Sequence, residues 1–246
     1  MNAYIAEFLG TALLVLLGNG VVANVCLNKT KGNSSGWIVI TTAWAFAVFV
    51  GVVVTAPYSG AHLNPAVTLG LAMHGSFSWA MVPGYIIAQV IGGVVGGFVV
   101  YLFYCDHFAA TQEEGAKRAC FCTEPAIRNY TSNLFSEIIG TVVLVSVIFY
   151  ITAGEIQLPT VEGTTPVGLG SVGALPVAIL VWAIGLSLGG TTGYAINPAR
   201  DLGPRIALCF LSKKLNTSPD WGYSWVPVIG PMLGGAIAAI GYSLVM

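Results

Sequence analysis

Ser59-Gly60-Ala61-His62-Leu63-Asn64-Pro65-Ala66-Val67 and Gly193-Tyr194-Ala195-Ile196-Asn197-Pro198-Ala199-Arg200 are two copies of one pattern, Gly-x-x-x-Asn-Pro-Ala. In each copy Asn stands where a helix takes its N-cap. Pro follows in the first turn, where its missing N–H costs nothing and its fixed φ favours the helix. Both stretches are too polar to cross a membrane, yet both lie among very apolar segments. A duplicated polar loop that starts a helix inside an apolar chain marks Asn64 and Asn197 as the first candidate functional residues.

The surroundings are those of a polytopic membrane protein. Of 246 residues 56% are hydrophobic and 8% charged, with a mean hydropathy of +0.82; soluble domains carry about 25% charged residues. A net charge of −1 offers no basic surface for nucleic acid. The first apolar segment, from Tyr4 past Val25, lacks a basic leader and a small-residue cleavage site, and reads as a retained helix. Cys26, Cys105, Cys120, Cys122 and Cys209 show no metal-site spacing, so no metal or cofactor is expected.

A span needs about 20 largely apolar residues, and six segments qualify: Tyr4 to Leu27, Trp37 to Ala56, Trp79 to Tyr104, Leu134 to Ala153, Ala174 to Gly190 and Trp221 to Met246. The charged stretch from Asp106 to Asn133 reads as a solvated linker. Behind each motif a short helix is expected, Pro65 to His74 and Pro198 to Phe210. Ten residues rise about 15 Å, half the membrane core. Glu7-Phe8-Leu9-Gly10-Thr11 matches Glu137-Ile138-Ile139-Gly140-Thr141, and Val90-Ile91-Gly92 with Gly96-Gly97 matches Val228-Ile229-Gly230 with Gly234-Gly235. The chain is therefore one domain over 1–246, built from two repeats, approximately 3–104 and 133–246. Each repeat holds three spans and one half-helix. Because three is odd, the second inserts upside down, and the half-helices meet near the midplane.

Non-helical backbone at that depth is tolerated only inside protein or along a wet cavity. Gly60 to Leu63 and Gly193 to Ile196 read as extended runs whose carbonyls (Gly60, Ala61, His62, Leu63, Gly193, Ala195) form a ladder of acceptors. Asn64 and Asn197 add amide donors at the centre. Two helix N-termini aimed at one point repel cations and protons but admit neutral polar molecules.

On the paired Asn-Pro-Ala motifs, the six-plus-two helix layout and the paired Glu7 and Glu137, the chain resembles the major intrinsic protein family, the aquaporins and glycerol facilitators, over essentially its whole length. The resemblance implies an all-α membrane protein with six transmembrane helices and two re-entrant half-helices in an inverted repeat. It implies a selectivity filter at Trp44, Gly185, Tyr194 and Arg200, with Glu7, Glu137 and Asp201 supporting the loops. Trp44 and Asp201 follow the glycerol-conducting branch. Gly185 stands where water-selective members carry His and is expected to widen the opening. Tyr194 stands where glycerol facilitators usually have Phe, and its hydroxyl would add a donor and acceptor to the filter.

The function so implied is passive, non-enzymatic conduction of glycerol and other small neutral solutes, with water, excluding ions and protons. Conduction mainly of dihydroxyacetone or protonated lactic acid is the alternative. A coupled secondary transporter shares the inverted repeat but needs a titratable group in its path, and Glu7 and Glu137 are better placed as scaffolding. Partners implied are the lipid bilayer and three further copies in a homotetramer, in a cell membrane, bacterial inner or plasma. Lys29, Lys31, Lys117, Arg118, Arg128, Lys213 and Lys214 all fall in loops of one side. That count would place the termini outside, whereas the family resemblance places them in the cytoplasm.

Overall fold

The computed structural model describes residues 1–152, 154–157 and 163–246. Its helices are α1 (Ala3–Cys26), α2 (Trp37–Ser59), α3 (Pro65–His74), α4 (Val82–Phe103), α5 (Cys105–Ala110), α6 (Glu114–Ala119), α7 (Tyr130–Tyr150), α8 (Leu175–Leu188), α9 (Pro198–Leu215) and α10 (Val226–Val245). Two four-residue strands, β1 (Gly154–Gln157) and β2 (Thr164–Val167), pair antiparallel between α7 and α8. Among the described residues, six helices are long and apolar enough to cross a membrane. Ala153, the expected end of the fourth segment, lies outside the described residues.

The contacts repeat between the halves. α1 packs on α2 and α4, and α7 on α8 and α10. The helix behind each motif packs chiefly on the third span of the other half, α3 on α10 and α9 on α4, which interlocks the repeats. Glycines permit this approach. A Cβ on Gly93 would lie 2.6 Å from the Ala199 carbonyl oxygen, and one on Gly235 2.5 Å from that of Ala66. In lipid, where apolar burial no longer drives association, such backbone proximity supplies the packing.

Several boundaries differ from the sequence reading, among them the end of α2, which runs to Ser59 and not Ala56. α9 has 18 residues and runs on to Leu215, with Lys213 and Lys214 in its last turn and Asn216 as a left-handed C-cap. At about 1.5 Å per residue it is roughly 27 Å long, so its charged last turns carry it beyond the half-depth reach of α3. The sixth span starts at Val226, because 221–225 form turns ahead of Pro227. The fifth begins earlier than Ala174, because a 3-10 turn at Gly170–Ala174 leads directly into α8, and the fourth begins at Tyr130, ahead of Leu134.

The stretch from Asp106 to Asn133 is not a simple linker. It carries α6 and most of α5, and then dips into the protein, where Cys120, Phe121 and Cys122 are buried. The Asn19 side chain in α1 donates to the Phe121 carbonyl at 3.0 Å and holds this dip in place. The apolar run within a charged loop was the signal for it.

Candidate functional site

The two motifs meet head to head. Asn64 caps α3 by accepting from the Ala66 N–H at 2.9 Å; Asn197 caps α9 by accepting from Ala199 at 3.0 Å and Arg200 at 3.2 Å. With both side-chain oxygens committed to the caps, the amide groups face across the junction. Asn64 Nδ2 donates to the Ile196 carbonyl and Asn197 Nδ2 to the Leu63 carbonyl, each at 2.8 Å. An amide has two hydrogens, so each Asn keeps one beyond this reciprocal pair. The Leu63 carbonyl, expected to serve the path, is thus first a cross-loop acceptor.

The runs before the caps are not extended. Gly60, Ala61 and Leu63 have φ of 78°, 53° and 51°, and Gly193, Tyr194 and Ile196 have 77°, 38° and 42°. A left-handed conformation costs a non-glycine residue on the order of 1–3 kcal/mol and persists only where its surroundings enforce it. Two buried carboxylates do so here. Glu7 accepts from the N–H groups of His62 (2.9 Å) and Leu63 (2.7 Å), from Ser59 Oγ (2.6 Å) and from Gln89 Nε2 (2.7 Å). Glu137 accepts from the N–H groups of Ala195 (3.0 Å) and Ile196 (2.8 Å). Gln89, which also donates to Thr68 Oγ1, escaped the sequence reading; its only signal was an amide in an apolar span. His62 Nδ1 lies 3.1 Å from Thr68 Oγ1 and its ring packs on Phe77 and Tyr85.

A cavity of about 250 Å³ runs past both Asn residues and is lined by Gly60, Ala61, His62, Leu63, Ala195 and Ile196. A second, of about 450 Å³, forms a vestibule lined by Gly193, Gly189 and the 122–126 stretch. Trp44, Tyr194 and Arg200 border both cavities and mark the junction between them. The Arg200 guanidinium carbon stands 4.0 Å from the centre of the Trp44 ring, and Nη2 is 3.4 Å from the Gly193 carbonyl.

Gly185 does not widen this junction. A Cβ on it would lie 2.9 Å from Tyr194 Cζ and 3.1 Å from Thr41 Cγ2, so the space that Gly185 leaves is filled by the tyrosine ring. The Tyr194 hydroxyl oxygen is itself buried, and among the described residues it has no hydrogen-bond partner. Its donor and acceptor are therefore sunk into the wall, and the ring alone faces the path. Residue identity read at each position could not show that Gly185 and Tyr194 share one volume.

Below the vestibule, Asp201 accepts from Thr123 N and Oγ1, both at 2.7 Å, and pairs with Arg205 at 2.8 Å. Arg205 is fully buried and also donates to the carbonyls of Thr123 (2.9 Å), Pro219 (2.6 Å) and Asp220 (3.1 Å). It ties the root of α9 to both covering loops. The sequence reading missed it, although a cation one turn after Asp201 on a membrane helix was the available signal.

The fold and site are those of an inverted-repeat membrane channel with two opposed Asn caps. A family model described as Major intrinsic protein matches residues 1–242, and the chain belongs to that family. It is 53% identical to the "Probable glycerol uptake facilitator protein" of Thermotoga maritima, over 99% of each chain. To the "Glycerol uptake facilitator protein" of Streptococcus pneumoniae it is 50% identical, again over 99% of each. Among solved structures it is similar to the aquaglyceroporin from Plasmodium falciparum, with a TM-score of 0.81, 33% identity, and coverage of 98% of this chain and 94% of that one.

Proposed function

We propose that the chain is a passive channel for glycerol and other small neutral solutes, with water, and that it excludes ions and protons. The observation that carries this reading is the junction at Trp44, Tyr194 and Arg200, which sits between two cavities and has a cationic edge and an aromatic corner. A polyol has the same division, with hydroxyls on one side and C–H groups on the other. Arg200 offers planar donors to the hydroxyls, and Trp44 with Tyr194 receives the carbon side. Further in, the spare amide hydrogens of Asn64 and Asn197 and the positive ends of α3 and α9 favour an oxygen and oppose a cation. Relatives named as glycerol facilitators support the same solute class. With the Tyr194 hydroxyl buried, that group gives dihydroxyacetone or lactic acid no advantage over glycerol.

The test is stopped-flow light scattering on proteoliposomes. Glycerol and water fluxes above those of empty vesicles are expected, with no proton or potassium conductance. Water flux without glycerol flux would overturn the assignment, and flux driven by an imposed pH or sodium gradient would point to a coupled transporter.

We further place both termini in the cytoplasm, in a homotetramer, against the count of basic loop residues. Three of those seven cations tie together a loop cap beside the vestibule. Lys117 donates to the Leu215 carbonyl at 2.6 Å, Arg118 pairs with Glu114 and Glu124 at 2.8 Å each, and Arg128 pairs with Asp220. This structural demand competes with the topogenic one. Protease access to a C-terminal tag in intact cells decides the orientation.

A further inference from the structure

Trp37 is the first residue of α2 and is 39% exposed, which on its own would suit a membrane-interface anchor. Its contacts point inward instead. The indole Nε1 donates to the Gly185 carbonyl at 3.0 Å. That carbonyl belongs to the last turn of α8, where backbone oxygens lose their helical partners. Trp37 therefore caps α8 from a neighbouring helix. The same ring meets Tyr194 edge on, with centroids 5.8 Å apart and planes at 79°. It also closes on Gly189, where a Cβ would lie 2.8 Å from Trp37 Cζ2 and 2.5 Å from Tyr194 Cδ1. Trp37 lines the vestibule beside Trp44 and Tyr194.

Tyr194 thus sits in a packed seat. Gly185 and Gly189 provide its floor by lacking side chains, with Thr41 beside Gly185, and Trp37 closes the vestibule side. The phenol has no hydrogen bond to hold it there, its hydroxyl being buried without a partner among the described residues. Its position is set by ring contacts, with the Arg200 guanidinium carbon 6.0 Å from its centre on one side and Trp37 at the vestibule side. Arg200 holds Trp44 more closely, at 4.0 Å from its ring centre, so Tyr194 depends more on Trp37.

We infer that Trp37 is a positioning residue of the selectivity filter: by capping α8 and holding the Tyr194 ring edge on, it sets the width of the junction and the largest polyol that passes. This rests on the proposed polyol conduction. Without Trp37 the Tyr194 ring gains room to tilt toward the vestibule, and the discrimination against a fourth carbon weakens.

The experiment compares wild type, Trp37→Phe and Trp37→Ala in proteoliposomes, reading the ratio of erythritol to glycerol permeability. Trp37→Ala is expected to raise that ratio by about tenfold, the low end of the discrimination that one extra carbon supplies in a fitted pocket. Trp37→Phe keeps a ring against Tyr194 but loses the bond to Gly185, so a smaller rise is expected. A merely structural role would lower both fluxes together and leave the ratio fixed. An unchanged ratio in a conducting variant overturns the inference. If Trp37→Ala does not fold, Trp37→Phe decides alone on the same criterion. Wild-type vesicles that pass no glycerol refute the channel reading and this inference with it, whereas conducting wild type with unaltered variants refutes only the role of Trp37.

Discussion

Replacing either buried glutamate with alanine should unseat one re-entrant loop, and the size of the effect follows from which donors lose every partner. In Glu7→Ala, Ser59 Oγ can still turn to the Thr55 carbonyl, at 3.4 Å, and Gln89 Nε2 keeps Thr68 Oγ1 at 3.0 Å. The N–H groups of His62 and Leu63 cannot turn, because the backbone fixes them. In Glu137→Ala the stranded pair is Ala195 and Ile196. Each orphaned buried N–H costs about 1–3 kcal/mol, so each variant should lose about 2–6 kcal/mol, a large part of a typical total of 5–15 kcal/mol. The two losses should be similar, although Glu7 accepts more bonds. Glutamine keeps one acceptor oxygen and should cost about half as much. The left-handed residues of each loop, no longer enforced, should relax and break the reciprocal Asn64 and Asn197 bonds, so solute flux falls with stability. Thermal unfolding in detergent, followed by glycerol flux in proteoliposomes, measures both. Alanine variants that melt with wild type and conduct normally would refute the claim that these carboxylates hold the loops.

Three other outcomes are expected. Tyr194→Phe removes an unpartnered buried hydroxyl and should be neutral or stabilising by about 1 kcal/mol, with an unchanged solute profile; a changed profile in the same flux assay would return the hydroxyl to the path. In Gly18→Ala the new Cβ would stand 2.3 Å from Trp44 Cζ3, so the ring must shift on Arg200, at an overpacking cost of about 1–3 kcal/mol; glycerol flux should fall, while Gly20→Ala, with open space around its Cβ, should match wild type. In the cap, the Ser218 N–H and then Arg118 hold the Glu114 carboxyl below its ordinary range, and Arg128 does the same for Asp220. Depressed carboxylates stabilise the fold in full above about pH 4 and lose that contribution as pH falls through their folded-state values, so the hydrogen-exchange protection of the Ser218 amide should drop on acidification below pH 4.

The architecture was legible because lipid leaves the chain few options. Spans must be long and apolar, polar interruptions must be enclosed, and a repeated order of elements with an odd number of crossings must invert. Helix capping is equally local, so Asn-Pro-Ala announced the starts of α3 and α9. The reach of α9 to Leu215 was less legible, because its last turns carry Lys213 and Lys214 and resemble a loop in composition. The buried dip at Cys120 to Cys122 was hidden for the same reason, its apolar run being short and framed by charge.

By itself, then, the sequence determined the spans, the repeat, the two capping asparagines and the residues that gather near them. These follow from near-neighbour chemistry and from the hydrocarbon solvent. Only the tertiary structure decided how those residues divide the space. It put the Tyr194 ring into the volume that Gly185 leaves and turned the hydroxyl into the wall. It bound each Asn to the opposite loop and brought Trp37 from the start of α2 to the end of α8. Volume is shared between residues far apart in the chain, so the width of a junction is a property of the packing and of no single position.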